Sequence, residues 1–257
     1  KGMIYFFGRQ GNVNRKWEDK IDQGNPQYGV VGGEALIVFE DVFVPWERVF
    51  LYGETDFAGL IVERFTALHR QNYGGCKVGV ADVLIGATVA LAEYQGTLGA
   101  SHVRDKITEM VHLSETLYSS AIACSCLSAA TPSGAYWVEP LLANVTKHNV
   151  TRFVYEIDRL AQDLAGGLLA TLPSERDLHH PKMGKYVDKY FSAVAGVPTE
   201  YRFRMARLIE NMTGTTAPVE SMHGAGSPQT QRVVMARQAN LEAKKKLALK
   251  IAGIPEK

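Results

Sequence analysis

The sequence predicts an α+β fold in which a β region precedes a bundle of long helices. Residues 1–58 mix β-branched and aromatic residues with glycine, a composition that favours strands. Across residues 59–257 apolar residues recur mainly at helical spacing. The helical stretches are long and the breaks between them are short, which is typical of an antiparallel bundle.

The β region contains two strand-like runs. The first covers residues 30–39, and the second covers residues 42–46, where Pro45 restricts the run to a sheet edge or a strand end. Residues 4–7 form an apolar run close to the first residue that resembles the middle of a β region. We therefore expect this chain to be part of a longer protein or to work with another chain.

Five helical stretches follow the β region. Apolar spacing predicts them at residues 60–94, 102–129, 140–164, 198–212 and 227–252. Pro132 breaks the pattern after the second stretch, and Gly166 follows the third, as glycine often follows the end of a helix. Pro228 would occupy the first turn of the last helix, where proline is well tolerated.

The composition is that of an ordinary globular protein. The chain has 257 residues, of which 46% are hydrophobic and 21% are charged. A formal net charge of +1 gives no electrostatic basis for binding nucleic acid or an acidic membrane. We find no signal peptide and no uninterrupted apolar run of membrane-spanning length. Three cysteines do not form a disulfide framework, so a cytoplasmic location is expected.

Four reactive side chains lie within residues 69–77. His69 supplies an imidazole, Tyr73 a phenol, Cys76 a thiol and Lys77 an amine. His69 and Cys76 are seven positions apart, close to two turns of a helix with about 3.6 residues per turn. His69, Tyr73 and Cys76 would therefore share one helix face. Each residue alone fits a helical core, but the set is hard to explain by packing and indicates a function.

His69 and Cys76 are both good ligands for borderline-soft metals. Seven residues span about 10 Å of helix axis, which is awkward for binding a single ion. A larger iron–sulfur cluster would allow each residue to bind a different corner. The pair is only half of a ligand set, and Cys124 and Cys126 have no evident route to it. A cluster would therefore need two ligands from outside this sequence.

Gly74 and Gly75 interrupt the same helical pattern. Each glycine costs about 1 kcal/mol of helix stability relative to alanine, so its presence needs a reason. The two interpretations are close packing between helices and room for a bulky cofactor.

Several segments resemble the 4-hydroxyphenylacetate 3-hydroxylase family. They are GEA at 33–35 followed by FEDVFVPWERVF at 39–50, and ESMHGAGSP at 220–228. The order and spacing of the four reactive residues in 69–77 resemble the active-site helix of one branch of this family, the 4-hydroxybutyryl-CoA dehydratases. The resemblance covers nearly the whole chain.

This resemblance implies an acyl-CoA-dehydrogenase-like fold. Such a fold has a helical N-terminal domain, a β middle domain and a C-terminal four-helix bundle. Residues 1–58 would be the C-terminal part of the β middle domain, and residues 59–257 would be the bundle. The resemblance also implies a homotetramer with FAD between domains and subunits, an acyl-CoA substrate, and a [4Fe-4S] cluster. An N-terminal domain or chain would supply two further cluster cysteines.

The resemblance also implies roles for the residues of the helix. His69 and Cys76 would ligate the cluster, with the imidazole on the iron nearest the substrate. Tyr73 would lie beside the substrate as a donor of a hydrogen bond or a proton. Lys77 would lie near the site as a charge partner.

Two carboxylates and a phosphate site complete the implied active site. Glu34 resembles a glutamate that the β domain contributes, and Glu220 is the candidate for a second carboxylate. Small residues before a helix can present backbone N–H groups to a phosphate of FAD or CoA. His223, Gly224 and Ser227 are the candidates for this contact, and an ordinary loop is an equally good interpretation of residues 221–228.

The implied reaction is the dehydration of 4-hydroxybutyryl-CoA to crotonyl-CoA, with isomerisation of vinylacetyl-CoA as a second activity. The β-proton of the substrate is unactivated, so direct abstraction by a base meets a very large barrier. A radical route through FAD makes that proton acidic, and iron assists the departure of hydroxide as a Lewis acid. His69, if released from iron, or Glu34 would be the base.

The sequence alone leaves two other functions possible. A flavin-dependent aromatic monooxygenase of the wider family needs no cluster, and it leaves Cys76 without a task. A non-catalytic, oligomerising helical bundle is the third possibility, because the expected N-terminal half and its two cysteines are not in this sequence.

Overall fold

The computed structural model describes residues 2–7, 19–24, 35–214 and 216–255, and helices make up most of this part of the chain. The strands β1 (Gly2–Phe7) and β2 (Ala35–Glu40) pair antiparallel, with Gly2 opposite Glu40 and Phe7 opposite Ala35. The short strands β3 (Ala129–Ala130) and β4 (Tyr136–Trp137) form a hairpin between two long helices.

The helices include three long ones and several short ones. Their bounds are α1 (Ala58–Gln95), α2 (Ser101–Cys126), α3 (Pro140–Ala165), α4 (Leu168–Thr171), α5 (Glu175–Leu178), α6 (Gly184–Phe191), α7 (Thr199–Thr213), α8 (Ala217–His223), α9 (Pro228–Gln238) and α10 (Leu241–Ile251).

The main core lies between α1, α2, α3 and α7. It contains fully buried side chains from each of the four helices, among them Leu84, Met110, Ile157 and Phe203. Each of these helices presents an apolar stripe to its neighbours, so burial of the stripes stabilises the bundle. The short helix α8 and helix α9 pack on the outside of α3.

Local sequence sets the ends of the helices that carry the site. Helix α1 ends at Gly96, whose φ of 75° is left-handed and suits glycine. Helix α3 begins with Pro140 in its first turn, and the side chain of Glu139 accepts a hydrogen bond from the backbone N–H of Leu142 at 2.5 Å. The glycine therefore fixes where α1 ends, and Glu139 and Pro140 fix where α3 begins. Helix α3 lies against α1.

The sequence predicted the four core helices to within a few residues, but it was wrong at two other points. Residues 42–45 form no strand and Trp46–Arg48 is a 3₁₀ helix, because Pro45 cannot donate to a sheet. The predicted last helix is two helices, separated at Asn240 with a φ of 32°. The predicted strand at 30–39 is confirmed for 35–39, whereas 30–34 lie outside the described residues.

The sequence analysis found no apolar run of membrane-spanning length, and the structure corrects this expectation. Among the described residues, Thr55–Gln95 is long and apolar enough to cross a membrane by its length and composition. The core helix of a soluble protein meets the same criterion, so a single helix of this kind is a weak indication of a membrane span.

Candidate active site

Tyr73, Lys77 and Glu220 meet at one point. The hydroxyl of Tyr73 donates a hydrogen bond to Oε1 of Glu220, and the ammonium group of Lys77 donates to Oε2 of the same carboxylate. The Nζ atom of Lys77 also lies 5.3 Å from the centroid of the Tyr73 ring. The carboxylate of Glu220 therefore accepts a hydrogen bond from a phenol on one oxygen and from an ammonium group on the other.

The helical repeat of α1 places Tyr73 and Lys77 on one side of the helix, and Gly74 lets the helix pack closely against its neighbours. Tyr73 and Lys77 are one turn apart and project from the same side of α1. Gly74 allows that side to lie close to its neighbours, because a Cβ atom there would meet Cβ of Ala121 and lie 2.7 Å from Cγ2 of Thr146. Gly75 faces open space, because no atom of the described part of the chain lies within 4 Å of such a Cβ. Close packing between helices therefore explains Gly74, whereas Gly75 lies on an open side of α1.

The environment of Glu220 keeps it ionised. Burial by itself raises the pKa of this carboxyl, but the hydrogen bonds from Lys77 and Tyr73 and the charges of Lys77 and Lys147 lower the pKa below its ordinary value. Glu220 is therefore a carboxylate at neutral pH, the form that can accept a proton.

Lys147 is a fourth member of this group, and the sequence analysis missed it. Its side chain is fully buried on α3, and its Nζ atom lies 4.2 Å from the centroid of the Tyr73 ring. The ammonium group donates to the carbonyl oxygens of Ser221 and Met222, the second at 3.4 Å. Burial lowers the pKa of Lys147 to about 8, and the charge of Glu220 opposes this shift.

Arg70 is a second buried cation beside the site. Its side chain is 4% exposed and donates to the carbonyl oxygen of Ala225 at 3.0 Å, to Oδ1 of Asn144 at 2.6 Å and to Oγ1 of Thr230 at 3.2 Å. Burial lowers the pKa of this guanidinium, which nevertheless stays charged. The three contacts join α1 to α3, to the loop before α9 and to α9 itself.

Positive charge exceeds negative charge around Glu220. Lys77 and Lys147 act directly on the carboxylate of Glu220, and Arg70 acts in turn on Lys147. Within the described residues, two buried or half-buried cations thus face one carboxylate, with a third cation beside them. This excess favours an anionic occupant, such as a thiolate-ligated group, a phosphate or an enolate.

His69 and Cys76 lie on the same helix at the edge of this group. The ring centroids of His69 and Tyr73 are 5.4 Å apart, and Sγ of Cys76 lies 3.9 Å from the carbonyl oxygen of Tyr73. Cys76 is exposed, although partial burial of its thiol raises the pKa of that group and the charge of Lys77 opposes the shift.

The donor set of His69 and Cys76 suits iron but is incomplete. An imidazole and an accessible thiol are ligands that iron–sulfur clusters use. Within the described part of the chain, no group of three or more His, Cys, Asp or Glu residues is placed to hold a metal ion. Cys124 is buried and donates to the carbonyl oxygen of Glu139 at 3.3 Å, away from this pair. The two residues therefore fit half of a cluster site.

The residues predicted to contact a phosphate have different positions. Gly224 touches the site directly, because a Cβ atom there would collide with the hydroxyl of Tyr73 and lie 2.6 Å from Oε1 of Glu220. His223 ends α8 with an exposed side chain, and Ser227 precedes the first residue of α9. Glu34 lies outside the described residues.

A cavity of about 820 Å³ opens beside the site. Helices α1 and α9 form most of its walls, and His69 and Arg70 line it together with apolar residues such as Phe65 and Val233. A volume of this size is in the range of small-molecule and cofactor sites.

Comparison with known proteins places this chain in a family. The family profile described as 4-hydroxyphenylacetate 3-hydroxylase C terminal matches residues 58–253. The chain is 51% identical to 4-hydroxybutyryl-CoA dehydratase/vinylacetyl-CoA-Δ-isomerase from Clostridium aminobutyricum, over 98% of this chain and 54% of that protein. It is 24% identical to the oxygenase component of 4-hydroxyphenylacetate 3-monooxygenase from Thermus thermophilus, over 70% of this chain and 37% of that protein.

Solved structures agree with these relationships. An oxygen-tolerant archaeal 4-hydroxybutyryl-CoA dehydratase from N. maritimus superposes with a TM-score of 0.95 at 50% identity, and covers 100% of this chain and 52% of its own. The oxygenase component of 4-hydroxyphenylacetate 3-monooxygenase, in complex with FAD and 4-hydroxyphenylacetate, has a TM-score of 0.79 at 19% identity, over 98% of this chain and 54% of its own. The second likeness shows the fold alone.

The chain spans about half the length of the relatives it matches. The profile match covers about three quarters of the chain, and the similarity extends through both the helical bundle and the strands before it. The chain therefore belongs to the 4-hydroxyphenylacetate 3-hydroxylase C-terminal family.

Proposed function

We propose that this chain forms part of an enzyme that dehydrates 4-hydroxybutyryl-CoA to crotonyl-CoA and isomerises vinylacetyl-CoA. The observation that carries the proposal is the meeting of Tyr73, Lys77 and Glu220 beside His69 and Cys76, in a chain 51% identical to an enzyme named for these two activities. The 4-hydroxyphenylacetate monooxygenases are related at only 24% identity.

The three residues that meet supply acid–base chemistry. Glu220 is ionised and accepts a proton, while Tyr73 donates a hydrogen bond or a proton to the substrate. Lys77 holds the carboxylate in place and compensates its charge. Because Tyr73 is 3% exposed, its hydroxyl acts in surroundings with little water, where such contacts are stronger.

The reaction also needs cofactors, for which His69, Cys76 and the adjoining cavity are the proposed sites. Bound FAD supplies one-electron chemistry, and a bound [4Fe-4S] cluster supplies a Lewis acid for the departing hydroxide. The FAD complex of the related oxygenase component supports the flavin. His69 and Cys76 would hold two corners of the cluster, and an N-terminal domain or chain would supply two further cysteines.

Other parts of the proposal concern the assembly. Residues 1–58 are proposed as the end of a β middle domain, from which Glu34 would reach the site. His223, Gly224 and Ser227 are proposed to lie near a phosphate of FAD or CoA. A cytoplasmic homotetramer that binds an acyl-CoA substrate completes the proposal.

Anaerobic cofactor analysis and an activity assay test this function together. The intact protein is purified without oxygen, and iron, acid-labile sulfide and flavin are measured per chain. We expect all three, together with formation of crotonyl-CoA from 4-hydroxybutyryl-CoA. Flavin without iron, together with hydroxylation of 4-hydroxyphenylacetate, would instead identify a monooxygenase. Absence of both cofactors and of turnover would favour a non-catalytic bundle.

A further inference from the structure

We infer that Lys147 is a positioning residue of the candidate active site. From α3 its buried ammonium group fixes the end of α8, and with it the carboxylate of Glu220, against the ring of Tyr73. The inference rests on the proposed function, since it assigns Lys147 a part in that turnover.

The first contact of Lys147 is with the end of α8. Its Nζ atom donates to the carbonyl oxygens of Ser221 and Met222, which belong to the last turn of the helix. Carbonyl groups in a last turn lack partners within their own helix, and a cation there is favourable. A helix as short as Ala217–His223 does not form without such support. Glu220 precedes Ser221 directly, so the contact also positions its carboxylate.

The second contact of Lys147 is with the aromatic ring that donates to this carboxylate. Its Nζ atom lies 4.2 Å from the centroid of the Tyr73 ring, within the range of a cation–π interaction. The hydroxyl of the same ring donates to Glu220. Lys147 therefore supports both partners of one hydrogen bond.

Burial of this lysine is costly, so packing alone does not explain it. The side chain is 0% exposed, and the charges of Lys77 and Arg70 oppose its protonation while the charge of Glu220 favours it. Residues one turn before and one turn after it on the same face of α3, Ala143 and Val150, are apolar and fully buried. An apolar side chain of similar volume would fill the space of Lys147 at lower cost.

Replacing Lys147 with methionine tests the inference, because methionine keeps most of the volume and removes the charge. In the intact, anaerobically purified protein we expect Lys147→Met to lower kcat roughly 10- to 100-fold, as loss of a buried charge-assisted hydrogen bond would. The KM for the acyl-CoA should stay nearly constant, because the ammonium group of Lys147 is engaged by the end of α8 and by the Tyr73 ring.

A double-mutant cycle separates positioning from a purely structural role. If Lys147 acts through Glu220, Lys147→Met should cost much less, about threefold or below, in a Glu220→Gln background. The control is Asp158→Asn, which alters a buried charge about 16 Å further along α3 and should leave kcat unchanged. Additive losses, or a raised KM at constant kcat, would overturn the inference.

A stability measurement keeps this test independent of the proposed function. If the wild-type protein turns over neither 4-hydroxybutyryl-CoA nor vinylacetyl-CoA, the proposed function fails. The same double-mutant cycle is then measured with free energies of unfolding in urea. Positioning then predicts a non-additive change for Lys147→Met with Glu220→Gln, and additivity would overturn it. Lys147→Gln, which keeps a donor without the charge, replaces the methionine variant if that variant does not fold.

Discussion

Tyr73 donates a hydrogen bond to Glu220 although the two residues are 147 positions apart in the chain. Tyr73 lies on α1 and Glu220 on α8, and both helices contact α3. Lys147 on α3 contacts the Tyr73 ring and the end of α8, so three separate helices define one hydrogen-bonded pair. The position of the carboxylate therefore depends on how the bundle packs.

Glu220→Gln should nearly abolish turnover. Glutamine can still accept from Tyr73, but it has no negative charge opposite Lys77 and does not accept a proton. We expect crotonyl-CoA formation to fall by roughly 10²- to 10⁴-fold, the range for loss of a general acid or base. Glu242→Gln is the control, because Glu242 is an exposed residue of α10. Retention of wild-type turnover by Glu220→Gln would remove this carboxylate from the reaction.

Two adjacent glycines should respond oppositely to alanine. Gly74→Ala places a methyl group against Ala121 and Thr146, so overpacking should lower the free energy of unfolding by about 1–3 kcal/mol. Gly75→Ala meets open space and should raise it by up to about 1 kcal/mol through helix propensity. Urea unfolding of both variants measures the difference. The reverse order would show that α1 packs with a different face inward.

Asp158 should make stability fall as pH rises from about 4 to about 7. Burial raises the pKa of this carboxyl from its ordinary value of 3.8 to about 7, and its Oδ2 atom has no hydrogen-bond partner among the residues that the structure describes. Between these two values the folded state binds the proton more tightly than the unfolded state, so stability decreases from about pH 4 to about pH 7. Asp158→Asn should remove this part of the slope in urea unfolding measured at several pH values. An unchanged slope would contradict the raised pKa.

The sequence predicted the helices better than it predicted the elements between them. Apolar spacing located α1 and α3, because burial of an apolar stripe determines such helices, and Gly166 marked the end of α3. It did not locate α8 or the split at Asn240, because short elements depend on tertiary contacts and on single backbone conformations. The stretch before Trp46 was predicted as a strand from residue types alone, and no strand forms there.

The candidate site was partly predictable. Helical spacing predicted one face of α1 for His69, Tyr73 and Cys76 with Lys77 beside them, and the structure brings Tyr73 and Lys77 together at Glu220. No periodic signal linked them to Glu220, which came from the family resemblance. Lys147 did carry a signal, because it occupies an otherwise apolar row with Ala143, Val150 and Val154 on α3. A lysine in such a row indicates a buried charge that a specific partner must stabilise.

The most direct test of the proposed function compares two exposed cysteines. Cys76 lies on α1 beside Tyr73, whereas Cys126 is the last residue of α2, and both thiols are free. The measurement is anaerobic turnover of 4-hydroxybutyryl-CoA by Cys76→Ala and Cys126→Ala, with iron determined on the same samples. We predict that Cys126→Ala retains iron and turnover and that Cys76→Ala loses both. Wild-type formation of crotonyl-CoA by Cys76→Ala would contradict the proposed role of this thiol and the function built on it.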